Sequence, residues 1–234
     1  MSEKVIISAA LTGVITTREQ CPAIPYTPPE IAQEAKRAYD AGAAIVHIHA
    51  RTDAGAADWR VETFQRIKDE TKAICPEVIL NFSTGAFGIP REDRIAHIRQ
   101  VRPDIAALNM GSMNYAIYSS RLKAFYHDYV FANPFEDIIF FLQAMNESGV
   151  RPEMECFDTG HIGNTRPLID MGILNPPYEF SFIMGVLGGI PASAENLANQ
   201  KRNIPDSEHS TWQVIGIQRQ QWEMVAAALT LGGN

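Results

Sequence analysis

The sequence alternates short apolar runs, rich in β-branched residues, with longer segments that have the apolar periodicity of amphipathic helices. Seven such pairs, each about 30 residues long, predict parallel strands that are covered by helices. The predicted strands span residues 5–13, 44–50, 78–85, 105–111, 152–160, 178–185 and 211–217. The predicted helices span residues 27–42, 59–75, 90–101, 135–149, 165–172, 193–203 and 220–233. The stretch between the fourth strand and Tyr129 is expected to be irregular.

Two architectures fit this pattern, a doubly wound open sheet and a (β/α)8 TIM barrel. No GxGxxG motif follows the first strand, whereas polar residues and glycines recur where many strands end. A barrel builds its site in that way, and we therefore predict an α/β fold of the (β/α)8 TIM-barrel class. The polar and other candidate residues at these strand ends are Thr12, His49, Ser83, Asn109, Asp158 and Met184.

The predicted barrel lacks its eighth strand, because the sequence stops at Asn234 directly after the seventh helix. We expect residues 1–234 to form a single TIM-barrel domain that is truncated after the seventh β/α unit. The first and seventh strands would then each have an unpaired edge, since the eighth strand closes a barrel between them.

Composition and charge exclude several classes of protein. The chain has 20 basic and 27 acidic residues, a net charge of −7, and no basic run longer than Lys201-Arg202, so we expect no nucleic-acid partner. No apolar stretch reaches about 18 residues, so no membrane partner is expected. The first residues lack the features of a signal peptide, and the three cysteines are odd in number and far apart. These features predict free thiols and a cytoplasmic location.

The motif VHIHAR at residues 46–51 is the sharpest chemical signal in the sequence. Residues i and i+2 of a strand project from the same face, so His47 and His49 point the same way near the end of the second strand. Two imidazoles in this arrangement form half of a site for a divalent metal, with Zn²⁺ as the first choice. Catalytic zinc needs a third protein ligand, which is commonly a carboxylate or another histidine.

Further candidate site residues follow the third and fourth strands. Ser83, Thr84 and Gly85 combine small hydroxyl groups with main-chain N–H groups, which suit a bound carboxylate or phosphate. Ala107 and Asn109 share a face of the fourth strand, and the Asn109 side chain is expected to point into the mouth of the barrel.

A pair of carboxylates lies on one face of the fifth predicted strand. Glu153 and Glu155 need partners if they are buried, so they either bind metal or substrate or orient other groups of the site. Glu155 is our candidate for a direct catalytic role. By contrast, His97 has basic neighbours and is expected on the surface, and Trp222 is expected to be packed.

The motifs VHIHAR, NFSTG, LNMGSMNY, PEMECFDTGH and FIMGVLGGIPAS, in this order and at these spacings, resemble those of the β-keto acid cleavage enzymes. This is the family of the 3-keto-5-aminohexanoate cleavage enzyme, and the resemblance covers essentially the whole chain. It implies a TIM barrel with a catalytic zinc, and a homo-oligomer, most simply a tetramer. It also implies a Claisen and retro-Claisen acyl transfer between a β-keto acid and acetyl-CoA, which gives acetoacetate and a new acyl-CoA.

The resemblance assigns roles residue by residue. His47 and His49 match the zinc-binding histidines, and Ser83 with its turn matches the contact to the substrate carboxylate. Ala107 falls where the founding member has a hydroxyl residue, and Ile15 falls where it has a glutamate that receives the substrate's ammonium group. The third zinc ligand and the main acid–base groups belong to an Arg-x-x-x-Glu-Asp stretch on strand eight, so they are expected beyond Asn234.

Two other functions remain open at this point. An amidohydrolase-like hydrolase also uses an HxH pair, but it normally carries the pair on the first strand, which has no histidine here. A barrel that has lost its last strand and its catalytic activity is the second alternative.

Overall fold

The computed structural model describes residues 4–234. The first elements are β1 (Ser8–Ala10), α1 (Pro28–Asp40), β2 (Ile45–Ile48), α2 (Val61–Ile74), β3 (Ile79–Phe82), α3 (Arg91–Val101) and β4 (Ile105–Asn109). These are followed by β5 (Met113–Ser119), β6 (Ala124–Phe131), α4 (Phe135–Ser148), β7 (Arg151–Cys156), α5 (Thr159–Gly163), α6 (Thr165–Asp170), β8 (Tyr178–Met184), α7 (Ala194–Arg202), β9 (Ser210–Gly216) and α8 (Gln221–Leu231).

The main sheet has seven strands in the order β1-β2-β3-β4-β7-β8-β9. Each strand lies beside the next one of the sheet along the chain, whereas a doubly wound sheet reverses its order at a switch point. The strand pairs β1–β2, β2–β3, β3–β4, β7–β8 and β8–β9 are all parallel. The predicted α/β class, a TIM-barrel-like fold with seven of its eight strands, is therefore confirmed.

The described residues divide into two compact units, and the expectation of a single domain stays a prediction. The first unit comprises the described part of Met1–Gly85 together with Ile89–Ala107 and Ala144–Arg151. It contains β1 to β3 with helices α1 to α3, whose apolar faces cover the sheet. Its fully buried aliphatic side chains include Ile31, Ile48, Ile67, Leu80 and Ile95.

The second unit comprises Ala86–Gly88, Leu108–Gln143 and Pro152–Asn234. In the register of its three parallel strands, Glu155 of β7 is level with Ser181 of β8, which is level with Gln213 of β9. A second core cluster contains the buried residues Phe131, Phe157, Ile183 and Val186.

The expectation of an irregular stretch before Tyr129 is wrong. Strands β5 and β6 form an antiparallel hairpin with a bulge between Ile117 and Tyr118. The Ala116 N–H group donates a hydrogen bond to the Leu187 carbonyl at 3.1 Å, which ties β5 to the turn after β8. Gly188 allows this close approach, because a Cβ atom there would lie 1.9 Å from the Asn114 carbonyl oxygen.

Several other boundaries and positions differ from the sequence predictions. The first strand is only three residues long, Ser8–Ala10, within the predicted span 5–13. Trp222 is 74% exposed and is not packed, because it lies on a face of α8 that no described element covers.

The strands β1 and β9 are the two ends of the sheet order, as expected for a barrel without its closing strand. Beside β9, the Asn234 N–H group donates to the Trp212 carbonyl at 3.0 Å, and the Val214 N–H group donates to the Asn234 carbonyl at 3.2 Å. In the described part of the chain, no helix is long and apolar enough to cross a membrane.

Candidate active site

The two histidines of the VHIHAR motif lie at the carboxyl end of β2. Their ring centroids are 5.1 Å apart and their planes meet at 67°. The Thr12 hydroxyl fixes the main chain here, because it donates to the His49 carbonyl at 2.7 Å and accepts from the His49 N–H group at 2.9 Å. The end of the first strand thus sets the position of His49.

The His49 side chain has the properties of a metal ligand. Burial, with smaller contributions from His47 and Arg51, lowers the pKa of His49 to about 3, so the imidazole is neutral at physiological pH. Its Nδ1 atom is buried and has no hydrogen-bond partner among residues 4–234. A neutral imidazole with an unsatisfied buried nitrogen is costly in a folded protein and suits coordination of a divalent cation.

Two buried carboxylates lie on β7, as the sequence predicted. The Glu153 Oε1 atom accepts hydrogen bonds from the Ser181 hydroxyl and from the Gln213 side-chain amide, which come from the next two strands. Gln213 also donates to the Ser181 hydroxyl at 2.7 Å. This network holds Glu153 in one orientation.

Glu155 has no such set of neutral donors around it. Burial raises its pKa well above the usual range of a carboxyl group, and the nearby Glu153 adds to this shift. Glu155 therefore keeps a proton at neutral pH in the absence of a cation. A bound divalent cation would favour the ionised form of Glu155.

Three side chains among the described residues are candidate metal ligands. His47 at the end of β2 offers an imidazole nitrogen, and Glu153 and Glu155 of β7 offer carboxylate oxygens. Imidazole and carboxylate are donors that suit zinc and other divalent cations. The family resemblance places the third ligand beyond Asn234, and the carboxylates of β7 are ligand candidates within the chain.

The turn after β3 presents the other predicted binding residues. The Thr84 hydroxyl donates to the Ala107 carbonyl at 2.6 Å, which ties the turn to β4. The Gly85 N–H group donates to the Ser83 hydroxyl at 3.2 Å. Ser83 lines a small cleft together with His49 and Trp59, so the predicted carboxylate contact and the predicted metal ligand face the same space.

Asn109 ends β4 as predicted, and its amide is buried. Neither the nitrogen nor the oxygen of its side chain has a hydrogen-bond partner among the described residues. Because an unsatisfied buried amide is costly, this group is a candidate for binding a ligand oxygen or a water molecule. Ala107 offers only its main-chain carbonyl to the site, since its side chain is a buried methyl group.

The expectation that His97 lies on the surface is wrong, because its side chain is completely buried. The ring stacks on Phe64, and Nε2 lies 3.1 Å from the Ser83 carbonyl oxygen. The helical spacing of Arg94, His97 and Val101 could have predicted this burial, because it places all three on the same face of α3.

The fold and these side chains define a TIM-barrel-like protein with candidate metal ligands at the end of β2 and on β7. A family model described as "beta-keto acid cleavage enzyme" matches residues 4–234. The chain therefore belongs to the β-keto acid cleavage enzyme family, which confirms the predicted enzyme class.

Named relatives agree with the family assignment, and a solved structure agrees with the fold. The chain is 37% identical to a 3-keto-5-aminohexanoate cleavage enzyme from Fusobacterium nucleatum, over all of this chain and 81% of that protein. It is 34% identical to a 3,5-dioxohexanoate:acetyl-CoA acetone transferase from Paraburkholderia graminis, over 99% of this chain and 80% of that protein. A ternary complex of ObcA with a C4-CoA adduct and oxalate has a TM-score of 0.74 at 20% identity and matches 91% of this chain. The matched region is 56% of that ObcA chain, so the present chain spans little more than half of its length.

Proposed function

We propose that this protein catalyses a zinc-dependent acyl transfer between a β-keto acid and acetyl-CoA, with acetoacetate and a new acyl-CoA as products. The observation that carries the proposal is the neutral imidazole of His49, beside His47 at the end of β2. Its buried Nδ1 atom has no hydrogen-bond partner among the described residues. Family membership supports the β-keto acid, and the relative from Paraburkholderia graminis, whose name includes acetyl-CoA, supports the second substrate.

In this proposal His47 and His49 hold the metal ion, with a carboxylate as the third ligand. A zinc ion bound there would polarise the ketone of the substrate as a Lewis acid. The choice between Glu153 and a residue beyond Asn234 as the third ligand is part of the test below.

The turn Ser83–Gly85 binds the carboxylate of the β-keto acid. The Ser83 hydroxyl and the main-chain N–H groups of the turn are the donors that a carboxylate requires. The Asn109 amide, which has no partner among residues 4–234, hydrogen-bonds an oxygen of the substrate. Together these contacts orient the carbon between the two carbonyl groups.

A carboxyl group of β7 accepts the proton of the substrate and later returns it. Glu155 accepts the proton from the carbon next to the ketone when it is ionised, and it returns this proton later in the reaction. Hydrogen bonds from Ser181 and Gln213 hold Glu153 in one orientation on the same strand. The Claisen-type condensation and the retro-Claisen cleavage both need such a proton shuttle.

The purified protein tests this proposal directly. A panel of β-keto acids is incubated with acetyl-CoA, and acetoacetate and the new acyl-CoA are measured by chromatography with mass spectrometry. We expect activity that is lost in His49→Ala and retained in the control His127→Ala, which alters a histidine of the hairpin. Metal analysis of His47→Ala, Glu153→Gln and Glu155→Gln identifies the third ligand. No product from any β-keto acid would contradict the proposal.

The oligomeric state is a separate part of the proposal. We propose a homotetramer in solution, because the family resemblance implies one and several large apolar side chains are exposed. The most exposed of these are Trp222, Val130, Tyr126, Met171 and Phe125. Light scattering at micromolar concentration tests this expectation, and a monomer would contradict it.

A further inference from the structure

Two buried side chains of α3 hold the main chain of the turn that follows β3. The Arg94 Nε atom donates to the Thr84 carbonyl at 2.8 Å, and His97 Nε2 lies 3.1 Å from the Ser83 carbonyl. Since a carbonyl oxygen only accepts, the His97 Nε2 atom carries the hydrogen and donates it. Arg94 and His97 are three residues apart, so one helix face contacts two successive carbonyl groups of the turn.

These two bonds act together with a third one on the opposite side of the turn. The Thr84 hydroxyl donates to the Ala107 carbonyl at 2.6 Å. The main chain at Ser83 and Thr84 is therefore fixed from α3 and from β4 at once. Such double support determines which way the Ser83 side chain and the following N–H group point.

The Ser83 hydroxyl can still donate one hydrogen bond. Its oxygen accepts the Gly85 N–H group at 3.2 Å, and within residues 4–234 its proton has no acceptor. The side chain also lines the cleft that contains His49. A carboxylate bound at this turn would find a hydroxyl donor whose position depends on the two contacts from α3.

The packing around His97 does not by itself require an imidazole ring. The ring stacks on Phe64 with centroids 3.8 Å apart, which a phenyl ring would do equally well. The Nδ1 atom is buried and has no partner among the described residues, so an imidazole here is costly to bury. The one interaction that a phenyl ring would lose is the bond from Nε2 to Ser83.

We propose that Arg94 and His97 are positioning residues that set the Ser83 hydroxyl for the carboxylate of a β-keto acid. This inference rests on the proposed function, in which the turn Ser83–Gly85 binds that carboxylate. Neither side chain touches the substrate, because each acts through a carbonyl group of the turn.

A double-mutant cycle separates positioning from simple structural support. His97→Phe keeps the stack on Phe64 and removes the donor, whereas His97→Gln keeps an N–H donor and removes the ring. The dissociation constant of acetoacetate, the probe, is measured by calorimetry in the absence of acetyl-CoA. The same measurement is made for Ser83→Ala and for the double variant Ser83→Ala/His97→Phe, with His209→Phe as the control.

We expect His97→Phe to weaken acetoacetate binding by about fivefold or more on the wild-type background and by less than about twofold on the Ser83→Ala background. His97→Gln should bind within about twofold of the wild type, and the KM for acetyl-CoA should stay unchanged in every variant. Thermal unfolding confirms that each variant is folded. His97→Met replaces His97→Phe in the cycle if the latter does not fold.

Three results would overturn the inference. These are wild-type affinity in folded His97→Phe, equal effects of this change on both backgrounds, and no binding of acetoacetate to the wild-type protein. The wild type could bind acetoacetate, and the His97→Phe and Ser83→Ala changes could show the expected coupling, while no acyl-CoA is formed. In that case the proposed reaction is wrong and the positioning role stands.

Discussion

The imidazole ring of His97 lies parallel to the phenyl ring of Phe64, with centroids 3.8 Å apart and planes 12° apart. Burial lowers the pKa of His97 to about 3, although the bond to the Ser83 carbonyl acts in the opposite direction. The folded protein therefore holds a neutral histidine across the acidic range in which an unfolded chain protonates it.

This relationship predicts a dependence of stability on pH. The unfolded His97 takes up a proton below about pH 6.5, which the folded form does not bind until about pH 3, so the free energy of unfolding falls as the pH decreases through this window. Between pH 7 and pH 5 this single group lowers it by about 2 kcal/mol.

Denaturant unfolding of the wild type and of His97→Phe at pH 7, 6 and 5 checks this prediction. Between pH 7 and pH 5, the free energy of unfolding of His97→Phe should fall by about 2 kcal/mol less than that of the wild type. The control Gln143→Leu alters an exposed, uncharged position of α4 and should follow the wild type. Identical pH dependence in all three proteins would contradict the assigned burial effect.

A second prediction concerns the network around Glu153. Replacing Gln213 by leucine removes a hydrogen-bond donor to the buried carboxylate of Glu153, and we expect a loss of about 1–3 kcal/mol in the free energy of unfolding. The control Gln143→Leu alters an exposed position of α4 and should change stability by less than about 0.5 kcal/mol. Equal stability of the two variants would mean that Gln213 does not support Glu153.

The sequence predicted the order of the main strands and the residues at their ends because both follow from short-range patterns. Apolar runs indicate buried parallel strands, and alternation along one strand correctly placed Glu153 and Glu155 on one face. The hairpin was missed for a local reason. A bulge after Ile117 interrupts its alternation, and Lys123 adopts a φ of 50° in a turn without the usual glycine.

The environment of the site residues could not be predicted in the same way. His97 is buried because Phe64, on another helix, provides a surface for its ring, and no periodicity in α3 specifies that partner. Glu153 binds Ser181 and Gln213, which are 28 and 60 residues away along the chain. Contacts of this kind depend on the register of neighbouring strands, which the sequence pattern leaves open.

A third prediction concerns the metal ion. Protein purified without a histidine tag should contain about one divalent cation per chain, and His47→Ala/His49→Ala should lose it, because both changes remove imidazole donors at the end of β2. Elemental analysis by mass spectrometry measures this content. The control His127→Ala/His209→Ala removes two other histidines and should retain the metal. An unchanged metal content in the first double variant would show that these histidines are not ligands.

The last prediction concerns the substrate. Ile15 stands where the resemblance to the family places a glutamate that receives an ammonium group, and its side chain is 38% exposed. An apolar residue cannot offset the charge of an ammonium group that loses its water on binding, so the enzyme should prefer β-keto acids without a terminal amine. Ile15→Glu should shift the ratio of kcat/KM values towards the amino-keto acid by about tenfold, which corresponds to about 1.4 kcal/mol. Ile15→Gln has a similar size without the charge and should shift the ratio by less. Steady-state kinetics on a pair of substrates that differ only in the amine measures both effects, and a wild-type preference for the amine would contradict this role of Ile15.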